Sequence, residues 1–145
     1  MIDWRAGLAV VLLTVLVLAS CSNTDAARAP GPIELLQAIP PANSVQYDKV
    51  KDMREWRNPY LIVRADGVAL LDTADSAEII LKPEELLPAL AKLPTSYWPY
   101  GRVVAAVENA RRGSEQDGVA IRKNKGIVGG ILDGAHIAVK WVPAA

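Results

Sequence analysis

A lone thiol is the group in this chain that is best placed for chemistry. Cys21 is the only cysteine, and it follows an apolar run over residues 6–19. The residues directly before it are Leu18, Ala19 and Ser20, and the last two are small enough to enter a peptidase pocket in extended form. A single cysteine excludes an internal disulfide. The pattern therefore favours cleavage before Cys21, with an uncleaved membrane anchor and a core helix with a buried thiol as alternatives.

The run Leu18-Ala19-Ser20-Cys21 resembles the lipobox of bacterial lipoproteins, where signal peptidase cuts before a lipid-modified cysteine. The apolar run suits a signal-peptide core of about 7–15 residues, whereas a membrane-spanning helix needs roughly 20. Arg5 precedes the run, as the positive-inside tendency requires. The resemblance implies a signal peptide over residues 1–20 and attachment to a lipid bilayer through acylated Cys21.

The stretch after the cysteine is typical of a tether. Residues 21–32 are small, polar and rich in proline and glycine, a composition that stays flexible. In lipoproteins of double-membraned bacteria, an aspartate after the cysteine favours the inner membrane, and here Ser22 takes that place. The resemblance therefore implies a cell-envelope protein in the outer membrane that faces the periplasm. Residues 33–145 are left for a folded domain.

Composition predicts one small domain that does not bind nucleic acid. The chain of 145 residues has 16 basic and 16 acidic side chains, so its net charge is zero. A neutral chain lacks the basic footprint of a nucleic-acid-binding protein. The length beyond the tether suits a single domain with a modest core. We predict an α+β fold, with an antiparallel sheet of about four to five strands packed by two to three helices.

Hydrophobic patterning locates these elements. Asp66-Gly67 lies between two apolar runs and predicts a hairpin, because both turn residues must tolerate positive φ. The predicted strands cover residues 60–65, 68–71, 77–81 and 136–141. A short helical turn is predicted over residues 32–39, and helices over 43–56, 83–93 and 127–135. Pro88 must kink its helix or delay its start. Periodicity leaves Gly101–Arg112 open between a buried strand and a helix.

Candidate catalytic residues lack the spacing of an active site. His136 is the only histidine, which is too few for a multi-histidine metal site, and it is expected on the final strand, partly buried. The serines fit turns and helix caps, outside a Gly-x-Ser-x-Gly elbow; they are Ser44, Ser76, Ser96 and Ser114. We therefore predict a protein that is not an enzyme and holds neither a cofactor nor a metal.

The clustered charged residues are explained by exposed loops, turns and helix starts without a catalytic or anion-binding role. Four carboxylates could serve glycoside hydrolysis but fit a solvated loop and a helix start; they are Asp72, Asp75, Glu84 and Glu85. Residues 113–118 are predicted to break the chain's regular structure, and residues 122–126 to form a solvated charged turn rather than an anion site.

Four aromatic residues are candidates for lining a groove that binds a partner. Trp98 and Tyr100, with Trp56 and Tyr60, could line it, because tryptophan and tyrosine combine a large apolar area with a polar tip. Trp98, Tyr100 and Trp56 are the candidates for contacting the partner. The chain has no phenylalanine, so its tryptophans and tyrosines must also build the core. Core packing is therefore the favoured alternative for these rings.

Several segments of the domain carry a weaker resemblance. They are VRADG at residues 63–67, LKPEELLPAL at 81–90, PYGRVV at 99–104 and Arg111-Arg112-Gly113. They resemble the periplasmic domain of ExbD/TolR-type proteins, which partner a proton-driven motor of the inner membrane. The resemblance implies a helix over Gly101–Arg112. The family's spanning helix carries a proton-handling aspartate, whereas the N-terminal segment of this chain has only Asp3, outside its apolar run.

These patterns together indicate a non-enzymatic envelope lipoprotein that binds or scaffolds another envelope component. The alternative is an accessory protein of an ExbD/TolR-like energy-coupled transport system. A third class is a small envelope hydrolase that uses the carboxylates between Asp72 and Glu85.

Overall fold

A computed structural model describes residues 28–72, 75–109 and 113–144. The predicted signal peptide and Leu18, Ala19, Ser20 and Cys21 lie outside these residues, as do Arg111 and Arg112. The α-helices of the described part are α1 (Pro32–Gln37), α2 (Ser44–Tyr47), α3 (Leu86–Ala91) and α4 (Glu115–Gly134). The strands are β1 (Tyr60–Arg64), β2 (Gly67–Leu71), β3 (Glu78–Leu81), β4 (Val103–Glu108) and β5 (Ala138–Val142). Short 3₁₀ helices cover Met53–Glu55, Pro83–Glu85 and Thr95–Tyr97.

The strands form one mixed sheet in the order β3-β2-β1-β4-β5. The neighbours β1–β2 and β2–β3 are antiparallel, whereas β1–β4 and β4–β5 are parallel. The predicted single α+β domain is confirmed, but the sheet is not antiparallel throughout. Parallel neighbours need a crossover, and here α3 lies between β3 and β4 while α4 joins β4 to β5.

The two faces of the sheet are covered differently, because successive side chains of a strand point to opposite faces. We call the side under α1, α3 and α4 the helical face; its core residues include Leu61, Leu70, Val104, Leu86 and Leu132. We call the other side the open face. There the segment over residues 42–56 packs on Val103 and Ala105 through Trp56.

The hairpin between β1 and β2 forms as predicted, with its turn one residue earlier. Arg64 pairs with Gly67, so Ala65 and Asp66 make the two-residue turn. Gly67 has φ of 151° and opens β2, where a Cβ atom would collide with the carbonyl oxygen of Leu81. Gly67 is therefore needed for the approach of β3 rather than for the turn.

The predicted helix over residues 43–56 is wrong, because the segment folds as two separate capped turns. The Asn43 side chain accepts a hydrogen bond from the Gln46 amide at the start of α2. The Asp52 side chain accepts one from the Arg54 amide at 2.9 Å, which starts a second, 3₁₀ turn. Asn and Asp stabilise helix starts, so each begins its own turn rather than continuing a long helix.

The ambiguous segment Gly101–Arg112 contains a strand. Residues Val103–Ala106 are 0% exposed, in β4 between β1 and β5. The helix implied by the ExbD/TolR resemblance is therefore not present over residues 103–108. Parallel strands that are buried on both faces consist of continuous apolar runs, which periodicity cannot distinguish from a helix.

The last helix begins earlier than predicted. Ser114 and Asp117 form a capping box, so α4 starts at Glu115 inside the expected break. Residues 122–126 consequently lie within this helix and not in a charged turn.

His136 is exposed in the turn after α4 with φ of 56°, rather than on a strand. Among the helices of the described residues, none combines the length and apolarity needed to cross a bilayer.

Two glycine substitutions are expected to change stability in opposite directions. Gly101 has φ of 75°, and a Cβ there would collide with the carbonyl oxygen of Pro41. Gly101→Ala should therefore lower the free energy of unfolding by about 2 kcal/mol or more.

Gly126 lies inside α4 with open space around it, so Gly126→Ala should raise that free energy by about 0.5–1 kcal/mol. Urea unfolding followed by tryptophan fluorescence measures both, and effects of the same sign would contradict the packing described.

Candidate functional site

Two of the carboxylates and one of the serines considered for catalysis form hydrogen bonds with the local backbone. Asp75 accepts a hydrogen bond from the Ala77 amide at 2.9 Å, and Glu85 accepts one from the Lys82 amide at 2.8 Å. Ser114 accepts one from the Asp117 amide at 3.1 Å. Within the described residues, no group of three His, Cys, Asp or Glu side chains is placed to hold a metal ion.

The candidate partner-binding aromatics differ in exposure. Trp56 and Trp98 are 6% and 4% exposed, so their rings pack in the core. The Trp56 ring lies 5.3 Å from that of Tyr100 and meets Tyr47 edge-on, while its Nε1 donates to the Pro59 carbonyl. Tyr100 is half-buried and keeps some accessible surface. Binding of a partner at these residues stays a prediction.

Asn58 is a fully buried polar residue that the sequence analysis did not single out. Its Nδ2 donates to the carbonyl oxygens of Gly101 at 2.7 Å and Val103 at 2.8 Å. Its Oδ1 accepts from the Tyr100 amide at 2.9 Å. Asn58 therefore holds the turn before β4 against the start of β1, and with it the aromatic residues around Tyr100.

An apolar groove lies on the open face beside the segment over residues 42–56. Its volume is about 640 Å³, which lies within the range of small-ligand sites. Apolar side chains of three neighbouring strands line it: Tyr60, Ile62, Val107 and Val142. Met53 lies at the end covered by that segment, and Pro143 and Ala144 line it beyond the end of β5. The groove thus presents apolar side chains of the sheet that the rest of the described chain leaves uncovered.

The charged residues at the rim of the groove are paired with neighbours. Glu78 accepts a hydrogen bond from the Arg64 guanidinium at 2.9 Å. Glu108 is paired with Lys125, whose Nζ also lies 4.6 Å from the centre of the Trp141 ring. These pairs leave the groove without a strong net charge, so contact with an occupant is expected to be mainly apolar.

Burial also affects the one phenol in the groove. Tyr60 is half-buried, and desolvation raises the pKa of its hydroxyl above the ordinary value of 10.0. The hydroxyl therefore stays protonated at neutral pH and can act only as a neutral donor or acceptor.

The lysine of β5 holds the covering segment in place. Lys140 Nζ donates to the carbonyl oxygens of Tyr47 and Val50, each at 2.9 Å. The same ammonium lies 5.6 Å from the centre of the Trp56 ring. These contacts tie residues 47–56 to the sheet, so the wall of the groove formed by Met53 is positioned by a rigid strand.

A pH measurement can check the turn that carries Met53. A side-chain hydrogen bond from Arg54 lowers the pKa of Asp52 from 3.8 to about 2. Since this pKa is depressed in the folded state, the stabilisation is present above the unfolded value and is lost as pH falls toward 2. Carboxyl NMR titration should find the Asp52 midpoint near 2 and a higher midpoint in Arg54→Ala. Identical midpoints in the two proteins would contradict the ion pair.

Of the apolar groove residues, the sequence singled out only Tyr60 as a candidate for binding. Ile62 lies in a predicted strand, whereas Val107 lies in the segment left open between strand and helix and Val142 lies beyond the predicted last strand. The signal that was available is the continuous apolar character of β1 and β4, which exceeds what one buried face requires. The packing of residues 42–56 decides which part of the open face is covered. Hydrophobic periodicity does not predict where that segment packs.

Comparison of the chain with protein families, characterised proteins and solved structures finds no match. The function must therefore be argued from the residues and geometry of this chain alone.

Proposed function

We propose that this protein is a lipid-anchored module of the bacterial cell envelope that binds another envelope component and is not an enzyme. The observation that carries the proposal is the apolar groove on the open face, which has paired charges at its rim. An apolar groove of this size favours binding, and the carboxylates weighed for hydrolysis include two that cap the backbone.

Anchoring is supported by the order of features along the chain. An apolar run, small residues, Cys21 and a tether rich in proline and glycine precede α1, which starts at Pro32. A flexible chain of the length predicted for the tether, residues 21–32, would have an r.m.s. end-to-end distance of about 19 Å. The domain would thus stay close to the bilayer, with Ser22 favouring the periplasmic side of the outer membrane.

The alternative role, as an accessory of an ExbD/TolR-like transport system, receives less support. It rests on segments that imply a helix over Gly101–Arg112, and residues 103–108 of that stretch form β4. The binding role needs no such helix, and we prefer it.

Photo-crosslinking in intact envelopes tests the binding role. A photoreactive residue at Ile62, on the floor of the groove, should form several times more adduct with one envelope component than the same residue at Val119. Val119 is 54% exposed on α4 and serves as the matched control. Val107→Glu places a charge in the groove and should abolish the adduct formed at Ile62. Equal labelling at the two positions, or labelling that survives Val107→Glu, would exclude the groove as the binding site.

A further inference from the structure

The outer edge of β3 is a second candidate surface for binding, which shares Glu78 with the rim of the groove. β3 is the outermost strand of the sheet at the end opposite β5. Its two central side chains, Ile79 and Ile80, are 50% and 48% exposed on opposite faces. An exposed edge strand with apolar side chains is a template for pairing with a further strand.

The register tells which backbone groups of β3 point outward. The Asp72 amide donates to the Ala77 carbonyl at 2.8 Å, and the same ladder pairs Leu70 with Ile79 and Val68 with Leu81. Hydrogen-bonded pairs alternate along an antiparallel ladder, so Ile79 and Leu81 bond to β2. The amide and carbonyl groups of Glu78 and Ile80 consequently point away from the sheet.

Protection of the β3 edge is limited to the short length of the strand and to Lys82-Pro83, which follow it. The four residues of β3 include neither proline nor lysine, and their only charge, Glu78, is paired with Arg64 of the same sheet at 2.9 Å. Natural edges are commonly shielded by charged residues, proline or bulges. The opposite edge strand, β5, carries Lys140, which is bonded to the covering segment.

We propose that β3 pairs antiparallel with β3 of a second copy of this chain, which joins two sheets into one across a two-fold axis. In the pairing that we propose, Glu78 lies opposite Ile80 of the second copy, and Ile80 lies opposite its Glu78. Each such pair exchanges two hydrogen bonds, so the outward amides and carbonyls of both strands are satisfied. An isologous contact of this kind closes as a dimer.

The apolar side chains on the helical face support this pairing. There Ile79 meets Ile79 of the second copy, so two half-exposed apolar side chains cover each other. On the open face, Glu78 has two diagonal neighbours in the second copy, Lys82 of opposite charge and Glu78 of like charge. The contact between opposite charges occurs twice by symmetry and the contact between like charges once, and each Glu78 is also paired with Arg64 of its own chain at 2.9 Å. The Lys82 amide donates to the Glu85 carboxylate at 2.8 Å and is therefore not available to a neighbouring strand. The hydrogen bonds between the two copies of β3 thus end at Ile80.

A disulfide at the two-fold axis tests the pairing in membranes that carry the full chain. Facing residues of a non-hydrogen-bonded pair lie about 4.5 Å apart at Cα, within the range that a disulfide spans. Oxidation of Ile79→Cys should give at least about tenfold more covalent dimer than Val119→Cys, an exposed apolar position on α4. The parent chain, whose only cysteine is Cys21, sets the background.

A second substitution and an independent mass measurement complete the test. Adding Ile80→Lys to Ile79→Cys places a charge on the edge and should return cross-linking to the level of Val119→Cys. Light scattering of the detergent-solubilised parent at tens of micromolar should give the dimer mass. A monomer there, equal cross-linking at positions 79 and 119, or adducts of Ile79→Cys with a different protein would each overturn self-pairing. Because none of these readouts involves Ile62, failure of the groove proposal remains distinguishable.

Discussion

Cys21→Ala is expected to abolish acylation and to remove the protein from the outer membrane. Signal peptidase of this class cuts before a cysteine that is already lipid-modified, so the variant should also keep residues 1–20. One acyl chain gives only marginal binding, with an association constant on the order of 10⁴ M⁻¹, whereas two or more anchor a protein stably. Intact-mass spectrometry and membrane fractionation of the native protein measure both effects.

The neighbouring residue supplies the control for this experiment. Ser22→Ala changes an adjacent side chain and leaves the thiol, so it should retain acylation, cleavage and fractionation of the parent. A native protein that begins at Met1 without acyl chains, or a Cys21→Ala variant with the same acyl mass as the parent, would refute the anchor.

Asn58→Ala is expected to cause the largest loss of stability among single substitutions of polar residues in the described part of the chain. The Asn58 side chain is fully buried and makes three hydrogen bonds to the backbone of Tyr100, Gly101 and Val103. Its removal leaves buried donors and acceptors unpaired, at about 1–3 kcal/mol for each. We expect the free energy of unfolding to fall by about 3 kcal/mol or more in urea titrations.

Asn43→Ala is the matched control, because Asn43 is exposed and caps α2 with one hydrogen bond. Loss of such a cap costs about 1 kcal/mol. Asn58→Asp separates lost volume from lost donors, since it keeps the size but presents oxygen to two carbonyl oxygens. It should destabilise the protein at neutral pH at least as strongly as Asn58→Ala. Similar effects of Asn43→Ala and Asn58→Ala would show that the buried amide does not organise the turn.

Local patterns in the sequence predicted several elements well. The β1–β2 hairpin lies where the Asp-Gly signal between apolar runs predicted it, although Ala65 and Asp66 form its turn, and β3 lies within its expected range. Pro88 predicted a helix that either kinks or starts later, and α3 begins at Leu86 after a 3₁₀ turn. Signals of this kind act within a few neighbouring residues, so no distant contact is needed to read them.

The errors have a common physical origin in local ambiguity. Residues 43–56 have the three-residue spacing of a helix, yet two polar caps divide them and their apolar side chains pack around Trp56. The run in β4 suits a strand or a helix equally until its burial between two strands is known.

The sequence alone determined a small α+β domain and predicts, from a lone cysteine after small residues, how that domain is anchored. The tertiary structure decided the parallel pairing of β1, β4 and β5, the uncovered part of the open face, and the role of Asn58, which bonds to a carbonyl 45 residues away. Local preferences act over a few residues, whereas strand order and groove shape depend on contacts between distant segments whose free energy appears only when the core is assembled.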